Sequence, residues 1–246
     1  MENSFKKITN SKFVIIWVSL ISIGIFIGSI FIANPISNIL INDYGIDFNT
    51  KQSIFKITIL IISVISMLIL NKGNLKEFGF KKPKPISYFK LTWLTAVVVI
   101  PSIIISAVLF LGVMDTLFPQ KGLNKIIPEK NFLTTIVTIW FLSSFSETIL
   151  TRGLFQSMLK NLKQIKFMRL SLPVILTGIF FGLLHTSLFF AGKSIWFTAF
   201  IVSFTTSTGV LAAYYREKSD SIIPAFLVHL LANIIGAIPL ILKMLR

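Results

Sequence analysis

Long apolar runs separated by short polar stretches dominate the chain. Seven of them are long enough to cross a bilayer, near residues 13–33, 53–70, 87–112, 132–158, 172–190, 195–214 and 221–242. A helical crossing needs about 20 such residues. The pattern predicts an all-α fold, a polytopic bundle of transmembrane helices with seven spans. Pro239 lies inside the last run, and proline interrupts helices. That predicts a short eighth helix at the C-terminal end. The first run follows Lys6, Lys7 and Lys12, exceeds a signal-peptide core in length and has no A-x-A site after it, so it reads as an uncleaved anchor. No internal repeat or low-complexity linker divides the sequence, and residues 1–246 read as a single membrane domain.

Composition removes the other classes. Hydrophobic residues make up 54% of the chain and charged residues 13%, against about 25% charged in soluble domains. Neither a water-soluble globule nor a disordered chain fits. The formal charge of +15 needs no nucleic acid, because cytoplasmic loops of membrane proteins collect Lys and Arg. On one side of an alternating topology lie Lys6, Lys7, Lys12, Lys72, Lys76, Lys81, Lys82, Lys84, Lys90, Lys160, Lys163, Lys166, Arg169, Arg216 and Lys218, 15 of the 24 basic residues. The other side has Lys51, Lys56, Lys121, Lys125, Lys130, Lys193, Lys243 and Arg246. The bias predicts a cytoplasmic N-terminus, and Lys81–Lys84 reads as a solvated, topology-setting loop. The Lys-, Ile- and Asn-rich usage suggests a low-GC bacterium, so the expected location is a bacterial cytoplasmic membrane. The lipid bilayer is then an obligate partner. There is no Cys, hence no disulfide and no thiol nucleophile.

Proline and glycine add local expectations. Pro173 and Pro224 sit in first turns, where a missing N–H costs little, and Pro101 should kink the third span. Gly24/Gly28 and Gly178/Gly182 are small residues four apart, read as helix-packing positions. The outer loop 113–131 could carry a short amphipathic piece on the membrane surface.

A few polar residues stand in the wrong solvent. Of nine acidic residues only Glu147 is deep inside a span; both histidines, His185 and His229, are intramembrane, as are Asn233 and Arg152. Ionisable groups at such depth cost a few kcal/mol or more and face a polar interior or a cavity. At about 1.5 Å rise per residue, Glu147, His185 and His229 could share one layer. Helical spacing pairs His229 with Asn233, Phe181 with His185, Glu147 with Thr151, and Thr148 with Arg152. Arg152 therefore points away from the Glu147 side, toward a backbone carbonyl, a neighbouring helix or the cytoplasmic end. Singly, a Glu staples helices, a His is a satisfied donor and an Asn is interhelical glue. Together they suit general-base hydrolysis. Glu147 takes a proton from water held by neutral His185, while His229 and Asn233 face a developing oxyanion. There is no G-x-S-x-G elbow and no H-E-x-x-H helix. Two His and one Glu could hold zinc, but no two of them are paired on one helix, and the metal-free reading with no cofactor is preferred.

These residues resemble the CPBP intramembrane proteases, also called the CAAX protease and bacteriocin-processing (Abi) family. Its E-E-x-x-x-R motif is matched by Glu147-Thr148-Ile149-Leu150-Thr151-Arg152, its F-x-x-x-H by Phe181-Gly182-Leu183-Leu184-His185, and its H-x-x-x-N by His229-Leu230-Leu231-Ala232-Asn233. The resemblance covers about residues 132–240. It implies that Glu147 and His185 activate water and that His229 and Asn233 stabilise the oxyanion, with Thr148, Thr151, Arg152 and Phe181 in support. Thr148 stands where the family has a second Glu, so Arg152 lacks that carboxylate. The resemblance implies an intramembrane endopeptidase acting on a peptide or the tail of a membrane-bound protein. The other role attached to the family is a non-proteolytic partner, such as a bacteriocin-immunity factor or a sensor-kinase regulator. A transporter would use the same groups for protons but would be expected to show repeats.

Overall fold

The structure, a computed structural model, describes residues 4–44, 48–122 and 136–244. It is a helix bundle; the only strand pairing among those residues is a hairpin of Lys166–Phe167 with Leu170–Ser171. A short helix, α1 (Ser4–Thr9), precedes α2 (Val14–Tyr44), and α3 (Phe48–Leu70) returns beside it. α4 begins at Tyr88 with Ser87 capping the Lys90 N–H. It passes through Pro101 in α form to Ser106, then widens into π turns over Ala107–Met114. α5 (136–158) alternates: π over Ile136–Ser143, α over Ser144–Thr148, π over Ile149–Phe155 and a last α turn. α6 (Leu172–Leu184) starts at Pro173 as expected; α7 (Ser187–Phe190) is one turn. α8 (Ile195–Ser219) is capped by Ser194 and stops at Asp220 in the left-handed region, and α9 (Ile222–Met244) follows.

Among the described residues five helices are long and apolar enough to cross a membrane: Val14–Leu40, Lys51–Leu70, Tyr88–Leu117, Leu172–Phe190 and Ile195–Ser219. Ile222–Ile238 is a shorter apolar helix. Outward-facing Ile61, Ile65, Ile69, Trp93, Ile104 and Ile105 remain exposed, which is the stable arrangement when the solvent is hydrocarbon. The all-α bundle is as the sequence pattern expects. Residues 132–135 of the expected fourth span, and residues 123–131 of the outer loop with its expected amphipathic piece, lie outside the described residues.

Two expectations are corrected here. α9 runs unbroken past Pro239 to Met244, so the chain does not break there into an eighth helix. Neighbouring helices and local adjustment let transmembrane helices tolerate proline. A Cβ on Gly24 or Gly28 would meet nothing within 4 Å, so this pair is not a packing seam. Gly178 and Gly182 are one. A Cβ there would meet Val210 at 2.3 Å and Thr206 at 1.9 Å, both on α8.

One apolar cluster joins α1, α2, α3, α5 and α6 through residues such as Phe5, Ile59, Leu150 and Phe180. A second joins α4, α8 and α9 through Leu91, Tyr215 and Val228. The basic loops gather at one end of the bundle. Lys160 bonds Glu77 at 2.6 Å, Asn161 donates to the Thr9 carbonyl at 3.2 Å, and Phe5 packs edge-on to Phe78. Ser221 donates to the Lys81 carbonyl at 2.6 Å, and the Lys84 N–H reaches the Ser219 carbonyl. The other end carries the tip of α4 and the start of α8, tied by Trp196 Nε1 donating to the Phe118 carbonyl at 2.7 Å.

Candidate active site

Glu147 lies in the single α-helical stretch between two π segments of α5. π turns recur at functional sites, and they change which side chains share a face. Glu147 is 7% exposed. Its Oε1 accepts from Ser143 Oγ at 2.8 Å and is paired with the ammonium of Lys56 from α3. Its Oε2 faces His229 Nε2 at 3.7 Å. One oxygen is therefore held by two donors. The other has room for one more, because 3.7 Å is beyond hydrogen-bond length.

His229, on α9, is buried between Glu147 and Thr148, whose Oγ1 is 3.5 Å from its Nδ1. Phe181 packs edge-on against both histidine rings, with centroids 5.0 Å from His185 and 4.9 Å from His229. His185 Nδ1 is 3.0 Å from the Phe181 carbonyl. A carbonyl only accepts, so Nδ1 carries the proton and Nε2 presents a lone pair. His185 lies inside the stretch Leu172–Phe190 as expected, at the point where α6 ends and α7 begins: it caps the C-terminus of α6. The hydroxyls of Thr186 and Ser187 bond the Leu183 and Leu184 carbonyls there, competing with helix continuation. Asn233 donates its amide to Ser144 Oγ at 2.8 Å, three residues before Glu147 on α5.

A cavity of about 330 Å³ adjoins this cluster. Glu147 and His185 line it, together with Lys51, Gln52, Lys56 and Asn34. His229 and Asn233 are not among its lining residues. The structure thus brings His185 and His229 together on Phe181, sets His229 beside Glu147, and joins Asn233 to the same helix through Ser144. Thr151 is fully buried and donates its hydroxyl to the Glu147 carbonyl, as its spacing suggests.

Arg152 is fully buried and does not reach a solvent-exposed end of the bundle. It donates to Thr151 Oγ1 at 2.7 Å and to the Gly209 carbonyl on α8 at 3.4 Å, with its guanidinium 4.2 Å from the Phe181 ring centroid. Two of the expected partners, a backbone carbonyl and a neighbouring helix, are therefore present. The expected pairing with Thr148 at i, i+4 is not how Arg152 is held. The reason is the π geometry over Ile149–Phe155, which adds a residue per turn.

Lys56 was missed by sequence reasoning, which counted it as an outer-loop charge. Its position eight residues into α3, on one helical face with Gln52 and Ile59, is the signal that was available.

Residues 129–235 match the sequence model of a family described as type II CAAX prenyl endopeptidase Rce1-like. The match spans all three motifs and is consistent with a CPBP-family intramembrane protease. In general terms it supports a CAAX-type intramembrane endopeptidase, a multi-pass membrane protein with peptide or protein substrates. No curated protein and no solved structure gives a significant match to the chain.

Proposed function

We propose that the chain is an intramembrane, glutamate-dependent endopeptidase that cleaves a peptide or a membrane-bound protein tail by water attack. The observation that carries this reading is one buried carboxylate flanked by two histidines, with Glu147 and His185 on the wall of one cavity. Glu147 Oε2 takes a proton from water whose other hydrogen is accepted by His185 Nε2. The hydroxide adds to the scissile carbonyl carbon. His229 Nε2–H stabilises the resulting oxyanion, joined by the Asn233 amide once it leaves Ser144. The intermediate collapses as the protonated Glu147 gives its proton to the departing amine. Thr151, Phe181 and Arg152 hold the cluster: a hydroxyl on the Glu147 carbonyl, a ring between the histidines, and a cation against that ring. No cofactor enters the scheme. A cytoplasmic N-terminus, supported by the clustering of the basic loops, and a place in a bacterial cytoplasmic membrane complete the reading.

A second reading, a non-proteolytic partner such as an immunity factor or a sensor-kinase regulator, is favoured by a specific observation. Lys56 neutralises the proposed base, and Thr148 replaces the second motif carboxylate. The two readings separate when purified protein in liposomes is incubated with candidate membrane peptides and the products are read by mass spectrometry. Cleavage by the wild type and none by E147Q supports the protease. Equal cleavage by both, or none by either across the peptides, favours the partner.

A further inference from the structure

The cavity has a direction. α2 runs from the end of the bundle that gathers the basic loops, and α3 runs back toward it. The lining residues closest to the basic end are apolar: Phe26, Ile59 and Leu150, beside Glu147. Those nearest the other end are mostly polar, Asn34, Ser37, Lys51, Gln52 and Ser187, with Leu188 and Ala191 beside them. α7, which closes one side, follows α6 at the end opposite the basic loops. The space therefore starts at the carboxylate in mid-bundle and becomes hydrophilic away from the basic loops. If those loops are cytoplasmic, as charge bias in membrane proteins requires, the polar mouth faces out of the cell.

Its charge has a sign as well. Two lysines line the cavity, and Glu147 is its single carboxylate among the described residues. Lys56 is spent on Glu147, and Lys51, five residues and about 7.5 Å nearer the mouth, has no acidic partner among the described residues. A cationic, half-apolar groove of this kind suits an extended peptide segment bearing a carboxylate, from an acidic side chain or a free C-terminus.

We infer that this cavity is a peptide-binding groove open to the extracytoplasmic face, admitting anionic segments past Lys51 to Glu147. The substrate class is then a secreted peptide or the translocated portion of a membrane protein, rather than a cytosolic tail. The inference rests on Glu147 as the reacting centre only for the word substrate; access and charge are measurable without catalysis.

The chain has no Cys, so each introduced thiol is reported alone. Q52C and S187C test the groove, K121C marks the same end, and K82C marks the basic end. In intact cells a membrane-impermeant maleimide should label Q52C and S187C to an extent comparable with K121C, and K82C only after permeabilisation. Labelling of K121C without Q52C or S187C would mean the groove is closed to that side and would overturn the inference. Labelling of K82C with protection of K121C would reverse the orientation and overturn it too. Charge is read by comparing anionic and cationic methanethiosulfonates at Q52C, each normalised to its rate with free cysteine. The anionic reagent should be favoured, and K51Q should remove the preference. No preference, or a cationic one, would defeat the anionic assignment. Two arms tell the source of a carboxylate apart: random peptides with free or amidated C-termini, and with Asp or Asn inside, competing for Q52C labelling. Protection by none of them would end the peptide-groove assignment. The double variant Q52C/E147Q should be labelled by the maleimide to the extent that Q52C is, which separates failure here from failure of the protease reading.

Discussion

Gly178→Ala tests the packing that holds the second motif. α6 approaches α8 so closely that a Cβ at residue 178 would lie 2.3 Å from Val210 Cγ2, 2.7 Å from the Val210 nitrogen and 2.9 Å from its Cα. Ordinary contact begins near 3.4 Å. The side-chain contact must therefore open by 1.1 Å, the difference between 3.4 and 2.3 Å, and two of the three atoms are backbone that cannot rotate aside. Overpacking of this kind costs about 1–3 kcal/mol, or roughly 2–4 °C in Tm per kcal/mol for a chain of this size. Catalysis should suffer further, because α6 carries Phe181 and His185. A displacement of about 1 Å at a reacting group can cost 10²-fold. Gly24→Ala is the internal control: its Cβ meets nothing within 4 Å, and replacing a helical Gly by Ala gains up to about 1 kcal/mol. Thermal unfolding in detergent, followed by helical ellipticity, reads both. G178A with wild-type stability, or G24A as damaging as G178A, would refute the packing argument.

Lys56→Met should lower stability by about 3–5 kcal/mol, since it strands a buried carboxylate. The K56M/E147Q double variant should lose much less than the sum, and strict additivity in that thermal cycle would mean the two groups are not coupled. His185→Ala should reduce cleavage by about 10²–10⁴-fold and Asn233→Ala by about 10²–10³-fold; rates within twofold of wild type would remove either residue from the mechanism. At the basic end, the hydrogen bond and charge of Lys160 hold Glu77 below its ordinary 4.5. Burial pushes Asp220 up, but Lys81, Arg216 and Lys84 outweigh it and leave it below its ordinary 3.8. Both depressed groups contribute stability that is present above their ordinary values and lost as pH falls through the lowered ones. Each exposed pair is worth at most about 1 kcal/mol. Tm should decline only below about pH 4.5, and E77Q should flatten that limb; an unchanged limb would show that this pair does not contribute.

The architecture was legible because hydropathy and helix length are tied by bilayer thickness, and residues such as Ile61 and Trp93 do face outward. The cluster of Glu147, His185 and His229 was legible because buried ionisable groups are costly and seldom stand alone. Three features were not. The π turns flanking Glu147 leave no mark in an apolar sequence, so α-helical spacing misdirected Arg152. Gly24 and Gly28 share the spacing of Gly178 and Gly182, but only a facing helix makes such a pair a seam. Lys56 was hidden by its nearness to a loop. Its partner lies 91 residues away, and pairing at that range depends on how α3 packs on α5.

General-base hydrolysis by Glu147 is tested most directly in the cell, by complementation of a deletion strain with E147Q at matched expression. The variant keeps the shape of the side chain and its bond from Ser143 while removing the charge and the base. Loss of the phenotype, with the protein inserted at wild-type levels, is the expected result. Full complementation by E147Q would contradict the protease and leave the non-proteolytic partner.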